Sequence, residues 1–335
     1  MKQSKPRARI QDVAALAGVS PATASRALAD HPKVTPKTKQ KVVEAARTLR
    51  FRRNSLARDL RSGGVTTAVG YVIEDLVNPW FSQVAAGAER VFRKAELELI
   101  VATTEGDPKR EQLVVKTMLE RRVQALLLIP LSEDHSYLEG ERQLGTPLIF
   151  VDRPPVNLIA DSITIDNRGG MRLAVEHLAK HGHKRIGLLA GPEPLWTTGE
   201  RLEGYKSGLS THGIEFDKSL VRNVQYLESE VNSAALELLN VSNPPTALIA
   251  TNNRITVLLL KSNKELLDKI AFVGFDDFEL SELLGITVVT HDPLDIGREA
   301  ALLTLERIEN PLDTPQRREI GTTVIARGSG ERRAR

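Results

Sequence analysis

From Val65 onward the chain alternates between short apolar runs and longer amphipathic stretches, and this alternation constrains the fold more than any other feature. Apolar runs at 67–73, 97–102, 125–129, 147–151, 185–190, 247–250, 270–273 and 287–290 predict strands. Helical periodicity fills the gaps, as at 80–94, 108–122, 170–181 and 201–212. Repeated strand–helix order means parallel strands whose two faces are covered by the crossover helices. Eight strands exceed one compact sheet of obvious order, so the expectation is two lobes. In such folds ligands bind at the carboxyl ends of the strands, here in a cleft between lobes. The alternation alone does not fix where the chain passes from one lobe to the other.

The first sixty-two residues follow a different pattern. They hold 15 Lys and Arg against 4 Asp and Glu, a net of +11, while the whole chain is only +3, which leaves −8 on residues 63–335. Clustered cations attract nucleic acid, because neutralising its phosphates releases condensed counterions. The acidic remainder would be repelled by the same polyanion and needs another task. Ile10, Val13, Ala14 and Ala17 fall at i, i+3, i+4 and i+7, one face of a helix. Gly18 supplies a turn residue, Ser20 an N-cap, and Ala24, Ala27 and Leu28 continue an apolar face. Two short helices around a glycine turn make a helix-turn-helix. A third helix begins at the cap Thr35, with Pro36 in its first position, and buries Val42, Ala46 and Leu49. The second helix presents Pro21, Ala22 and Arg26 to base edges. Ser20, Thr23 and Ser25 offer short hydroxyls to phosphate oxygens. Arg26 suits base reading, since a guanidinium can pair bidentately with guanine. The plainer alternative is an alanine-rich helical hairpin with a solvated basic face.

Other classes find little support. With no cysteine there is no disulfide, thiolate metal site or thiol nucleophile. No apolar run approaches the ~18 residues of a membrane helix. The basic start Met1-Lys2-Gln3-Ser4-Lys5 has no apolar signal core behind it, so the expected location is the cytoplasm. No GxSxG, P-loop or GxGxxG occurs. His177 and His181 have the spacing of a helical zinc pair, but residue 178 is Leu and the HExxH glutamate is missing. Asp276 and Asp277 are adjacent and expected to point apart. No metal, no cofactor and no enzymatic activity are therefore expected. The tail 328–335 lacks leucine heptads, so nothing in it argues for a coiled coil.

The run from Asp12 to Leu28, DVAALAGVSPATASRAL, closely resembles the N-terminal signature of LacI/GalR-family bacterial transcriptional regulators. The motif is long and specific, and the resemblance covers essentially the whole chain. It implies a hinge helix that enters the minor groove, matching Asn54-Ser55-Leu56-Ala57-Arg58-Asp59-Leu60-Arg61-Ser62-Gly63. Leu60 matches the family's wedge leucine; the cost of unstacking a base step is offset because bent DNA wraps more protein. An amphipathic linker helix packed on the body is the alternative for Leu56 and Leu60. The implied DNA-facing set is Ser20, Pro21, Ala22, Thr23, Ser25, Arg26 and Thr35 from the helix-turn-helix, with Asn54, Ala57 and Leu60 from the hinge.

For the body the resemblance implies a periplasmic-binding-protein-like effector domain with crossings near 160, 291 and 320. Matching motifs include Asn78-Pro79-Trp80-Phe81, Val151-Asp152-Arg153-Pro154, Asp166-Asn167, Arg201-Leu202-Glu203-Gly204-Tyr205, Thr251-Asn252 and Val273-Gly274-Phe275-Asp276-Asp277. The expected domains are a helix-turn-helix head at 1–53, a hinge and linker at 54–64, and a two-lobed effector and dimerisation domain at 65–335. Its near lobe is 65–160 with 292–319, and its far lobe 161–291 with 320–328.

Independently of family, several residues suit a polyhydroxylated ligand. Asp276 ends an apolar strand, where a carboxylate can accept from hydroxyls, and Arg201 offers a fork of donors at a helix start. Asp152 and Asn252 also follow apolar runs, and Trp80 and Phe81 can stack on the C–H face of a sugar ring. Tyr226 joins this set because it aligns with an aromatic pocket position of the family. Plainer readings stand beside these: Asp276 as a helix cap, Arg201 paired with Glu200, Trp80 as core. The chain also departs from the family pattern. Asn253 stands where Asp is usual, Leu258 where Gly is usual, and Glu230-Val231 where Ser-Gly is common. The stretch 258–269 is about four residues short against the usual family spacing. In the head, Arg9 replaces a capping Thr, Arg50 a capping Gly and Arg53 the usual Pro. The combined expectation is a homodimeric repressor that binds double-stranded operator DNA and is controlled by a small ligand, a sugar or related polyol. The rivals are a solute-binding protein with an incidental basic extension and a two-lobed sugar-metabolising enzyme.

Overall fold

The computed structural model describes residues 8–51, 66–267, 269–311 and 313–334. The chain divides into two compact units, Met1–Thr66 and Thr67–Arg335, called here the head and the body.

Among its described residues the head packs three helices, α1 (Ile10–Ala17), α2 (Pro21–Leu28) and α3 (Pro36–Thr48). Gly18 ends α1 in the left-handed conformation, φ 66°, which lets the chain turn tightly into α2. Ser20 Oγ accepts from Thr23 N at 3.1 Å, and Thr35 Oγ1 accepts from Thr38 N at 3.3 Å, so α2 and α3 begin with the same hydroxyl cap followed by proline. Val13, Ala14, Ala24, Ala27, Val34, Val42, Ala45 and Ala46 form the core. Five alanines among these eight residues explain how helices this short can pack: small side chains bring the helix axes close. After α3 the chain reverses through Arg50 at φ 49°, a conformation that favours glycine.

The body contains two six-stranded sheets. The first is built from β1 (Ala68–Ile73), β2 (Glu98–Thr103), β3 (Ala125–Leu128), β4 (Leu148–Asp152), β5 (Asp161–Ile165) and β11 (Arg317–Ile320), in the order β11-β5-β4-β3-β1-β2. Every neighbouring pair in it is parallel. The second is built from β6 (Ile186–Ala190), β7 (Val221–Asn223), β8 (Ala247–Ala250), β9 (Ala271–Phe275), β10 (Thr287–Thr290) and β12 (Thr323–Ile325), in the order β12-β10-β9-β8-β6-β7. It is parallel except that β12 runs antiparallel to β10. β12 arrives directly from the other lobe without a crossover helix, so nothing forces it to run parallel.

Helices α4 (Pro79–Lys94), α5 (Pro108–Glu120), α6 (Glu139–Gln143) and α11 (Pro293–Glu309) belong to the first lobe. Helices α7 (Asn167–Lys180), α8 (Trp196–Thr211), α9 (Glu228–Leu239) and α10 (Asn253–Leu267) belong to the second. Each sheet is buried between two apolar clusters, one on each face, as strands covered on both sides require. The close pairing of α4 with α11 depends on two glycines. A Cβ on Gly87 would lie 2.1 Å from Leu294 O, and one on Gly297 would lie 1.9 Å from Val84 O.

The chain passes between lobes three times: after β5, between β10 and α11, and between β11 and β12. The sequence reading puts the first passage near 160, and the structure corrects it. β5 pairs with β4 and β11, so residues 161–165 complete the first sheet and the passage comes after Ile165. The reason lies in the contacts of Asp161. Asp161 accepts from Arg307 Nε at 2.7 Å, from Arg307 Nη2 at 2.8 Å and from Gln316 N at 2.8 Å, which fastens β5 to α11 and to the approach to β11. Four strands lie outside the eight apolar runs. β5, β7, β11 and β12 are short and interleaved with polar residues, as in Asp161-Ser162-Ile163-Thr164-Ile165. The stretch read as short against the family is a helix broken at Asn263 (φ −156°, ψ 62°), whose side chain caps the following turn by accepting from Leu266 N.

Candidate functional site

In the head, the face of α2 directed away from the core carries Pro21, Ala22, Ser25 and Arg26, all exposed, while Ala24 and Ala27 are buried. This pattern follows from helical spacing and leaves one arginine and a row of small side chains on a convex ridge. Small side chains leave this face open to close approach, and Arg26 is the long donor on it. Thr23 is half-buried, and its hydroxyl pairs with that of Ser20 at 2.9 Å. Thr35 pairs in the same way with Thr38 at 2.9 Å. Ser20 and Thr35 therefore hold the exposed starts of α2 and α3, two helix N-termini of the kind that attract phosphate. The proposed hinge contacts Asn54, Ala57 and Leu60, together with Arg53 and the rest of 52–65, lie outside the described residues.

In the body, all seven residues proposed for a ligand line one cleft between the lobes: Trp80, Phe81, Asp152, Arg201, Tyr226, Asn252 and Asp276. Asp276 follows β9 at φ 65°, and Asp152 ends β4 at φ 72°. A left-handed conformation costs an ordinary L-residue about 1–2 kcal/mol, and each lobe holds one carboxylate in that state at the end of a strand. Each carboxylate has an arginine. Arg201 Nη1 lies 3.3 Å from Asp276 Oδ2, and Arg153 Nε lies 3.1 Å from Asp152 Oδ2. Arg201 also donates from Nε to Asn167 Oδ1 at 2.7 Å and from Nη1 to the Thr251 carbonyl, and it stacks on Phe275 with Cζ 3.8 Å from the ring centre. Arg153 also donates to Pro130 O at 3.0 Å and to Glu74 Oε2 at 3.3 Å. Glu200 pairs with Arg168 rather than Arg201, at 2.7 Å.

The aromatic residues sit differently from a simple sugar platform. Trp80 and Phe81 are 8% and 5% exposed and meet edge to face at 5.4 Å, so both serve the core as well as the cleft wall. Trp80 Nε1–H donates to His291 Nε2 at 2.8 Å, which places the proton of a neutral His291 on Nδ1. Burial holds the His291 pKa below its ordinary value, although the Asp276 carboxylate acts in the opposite sense. Tyr226 accepts from Asn252 Nδ2 through its hydroxyl at 3.0 Å, while Asn252 Oδ1 caps α10 by accepting from Ile255 N at 2.9 Å. The face of the Tyr226 ring is covered by the Arg254 guanidinium at 4.2 Å.

Sequence reasoning missed Glu74, Asn78, Arg153, Asn253 and Arg254, all of which line the same cleft. Each lies within a few residues of a strand end, inside or next to motifs already singled out. The rule that ligands meet the carboxyl ends of strands would have pointed to them. Asn253, which stands in place of an aspartate, donates across the cleft from Nδ2 to Asn78 Oδ1 at 3.0 Å. Asp277 points away from Asp276, to Arg327 Nη2 at 2.7 Å. His177 pairs with Glu331, and no cluster suited to a metal occurs among the described residues. No described helix is long and apolar enough to cross a membrane.

Residues 66–327 match the family model described as periplasmic binding proteins and sugar binding domain of LacI family, and residues 9–54 match bacterial regulatory proteins, lacI family. The HTH-type transcriptional repressor CytR of Escherichia coli (strain K12) is 27% identical over 98% of both chains. A solved transcriptional regulator CelR–cellobiose complex is 26% identical, with a TM-score of 0.71, over 97% of this chain and all of that one. The lac repressor dimer bound to operator and the anti-inducer ONPF shares the fold at a TM-score of 0.82, with 24% identity over 97% of this chain and 99% of that one. These matches span both units, and they come from a family of regulators rather than enzymes. The chain thus belongs to the LacI family of bacterial regulatory proteins and is a DNA-binding transcriptional regulator.

Proposed function

We propose that the chain acts as a homodimeric repressor, with heads that read a pseudo-palindromic operator and an interlobe cleft that binds a neutral polyhydroxylated ligand. The observation that carries the ligand class is the matched charge of the cleft. Three carboxylates and three arginines line it: Asp276 has Arg201, Asp152 has Arg153, and Glu74 lies between Arg153 and Arg254. A net ionic ligand would leave one of these groups uncompensated. A sugar or polyol can instead exchange hydroxyl hydrogen bonds with the Asp–Arg pair of each lobe. The CelR relative, solved with cellobiose, supports a carbohydrate as the first probe. For the head, Arg26 is the proposed base-reading residue and the helix starts at Ser20 and Thr35 the phosphate contacts. Two heads on a dimer would meet two half-sites, and the hinge segment 54–63 would enter the minor groove between them. Ligand control requires that the ligand bind the DNA-competent and DNA-incompetent dimers with different affinities.

The test is selection of operator sequences from random duplexes, repeated with cellobiose and a panel of mono- and disaccharides and polyols. The proposal expects a palindromic consensus, and one or more sugars that shift operator affinity. Arg26→Ala should weaken consensus binding by about 1–3 kcal/mol and relax a single base position. A consensus without two-fold symmetry would remove the dimer reading. An Arg26 variant with unchanged base preference would remove Arg26 from the reading set.

A further inference from the structure

Arg254 stands at the start of α10 in the second lobe, yet its charge is answered by the first. Its Nη1 lies 3.1 Å from Asp75 Oδ2 and 3.7 Å from Glu74 Oε1, both directly beyond β1. Its guanidinium plane covers Tyr226, the aromatic residue proposed to face the ligand. The preceding residue, Asn253, spans the same gap to Asn78, and its own Oδ1 is buried without a partner among the described residues. One helix start thus grips one loop through two consecutive side chains. The planar cation lies on the aromatic face where a ligand ring would be placed.

We propose that Arg254 is a built-in occupant of the cleft, which ties the lobes together and covers Tyr226 until a ligand displaces it. Three physical consequences follow. The ligand-free cleft is held shut by a charge pair, so salt loosens it, because Arg254 is about one-third exposed (33%) and open to screening. A ligand that uses the Tyr226 face must first supply what Arg254 supplies, a flat surface and donors toward Glu74 and Asp75. Apparent ligand affinity is reduced by the fraction of molecules in which Arg254 is seated, so this residue sets both affinity and selectivity. Lysine cannot replace it fully, because an ammonium keeps the charge and loses the planar stack. The inference concerns the cleft assigned above to a ligand, but its test needs no ligand, so the failure of one reading is distinguishable from the failure of the other.

Trp80 lines the same cleft and reports on its opening. The chain has two tryptophans, so a Trp196→Phe background isolates its fluorescence. In the full-length protein, Arg254→Ala should raise acrylamide quenching of Trp80 severalfold, and Arg254→Lys should give an intermediate value. Sodium chloride should raise quenching in the parent and leave Arg254→Ala unchanged. Millimolar methylguanidinium, the free headgroup of the missing side chain, should return Arg254→Ala to parental quenching with a saturable dependence, while sodium chloride at equal ionic strength should not. Asp75→Asn approaches from the other lobe. It removes the charge and keeps an oxygen for the turn hydrogen bonds from Val77 and Asn78 that Asp75 now accepts. It should also open the cleft, and it decides the matter should Arg254→Ala fold poorly. Parental quenching in both variants would overturn the proposal. Opening without methylguanidinium rescue would overturn the occupant role and leave Arg254 an ordinary structural residue.

Discussion

Asp276 offers the sharpest test of the cleft, because two substitutions there separate two physical roles. Its side chain is 11% exposed, and its oxygens lie 3.3 and 3.5 Å from the two terminal nitrogens of Arg201. Stranding a buried charge outright costs about 3–5 kcal/mol. Arg201 would not be stranded, since Asn167, the Thr251 carbonyl and the Phe275 face remain. The bonds to Asp276 are long and the bonds that stay are better, so Asp276→Asn should cost about 1–2 kcal/mol of stability. Asparagine tolerates the left-handed backbone at this position, φ 65°, and alanine does not. Asp276→Ala should therefore be less stable than Asp276→Asn by about 1 kcal/mol more. Loss of an anionic acceptor should weaken ligand binding in both variants by about 1.5–3 kcal/mol, roughly 10- to 100-fold. Operator affinity without ligand should be unchanged. Urea unfolding, titration calorimetry and fluorescence anisotropy on one preparation read the three quantities. Parental ligand response in Asp276→Asn would show that the carboxylate does not hold ligand. Equal stability of the two variants would show that the backbone argument is wrong.

Other expectations rest on separate observations. Arg50→Gly should stabilise the head by about 0.5–1 kcal/mol, because the residue sits at φ 49°. Thermal melting checks this, and the lost cation should at the same time weaken non-specific DNA binding. Gly297→Ala gains about 1 kcal/mol of helix propensity, yet its Cβ would fall 1.9 Å from Val84 O, so overpacking of about 1–3 kcal/mol or more should win. A urea midpoint at or above the parent's would contradict that close approach. His135, His183 and His291 are each held below the ordinary value of 6.5, chiefly by burial. The unfolded chain therefore binds more protons once pH falls below about 6.5, so their contribution to body stability is intact above that pH and is lost as pH falls toward the folded pKa values. Urea midpoints measured across this range should drop, and His183→Gln should flatten the drop.

Much of this architecture was legible from local rules. The head was readable because its helices obey spacing, and Gly18, Ser20, Thr35 and Pro36 are strong end signals. Of the eight strands legible as apolar runs, seven are interior, and strands covered on both faces must be largely apolar; the eighth, β2, is an edge. The other three edge strands, β7, β11 and β12, were not. β11 and β12, with the sequences Arg-Arg-Glu-Ile and Thr-Val-Ile, are partly solvated, and their identity depends on a neighbour far along the chain. Asp161 hid β5 for a similar reason: a carboxylate at a strand start looks like a loop until Arg307 is found opposite it, 146 residues later. In the cleft, residue types at strand ends were enough to gather Asp152, Asn252 and Asp276, while Arg201, picked out for its fork of donors, lies inside α8 (Trp196–Thr211). The role of Arg254 was invisible, since no local pattern predicts that a guanidinium will cross to the other lobe and cover Tyr226.

The three passages between lobes have a consequence for synthesis. Neither sheet can be completed until the chain has been made past residue 316, because β11 closes the first and β12 closes the second. The described core of the head draws its partners from between Ile10 and Phe51. Helical units with such local pairing fold fast, and long-range parallel pairing folds slowly. On the ribosome a folded, basic head would wait beside an unfinished body. Any affinity that depends on two bodies associating would come only after the last two strands had docked. Truncation near residue 316 should therefore yield a chain whose head is folded and whose body exposes an unpaired strand edge on each sheet, the kind of edge that invites aggregation.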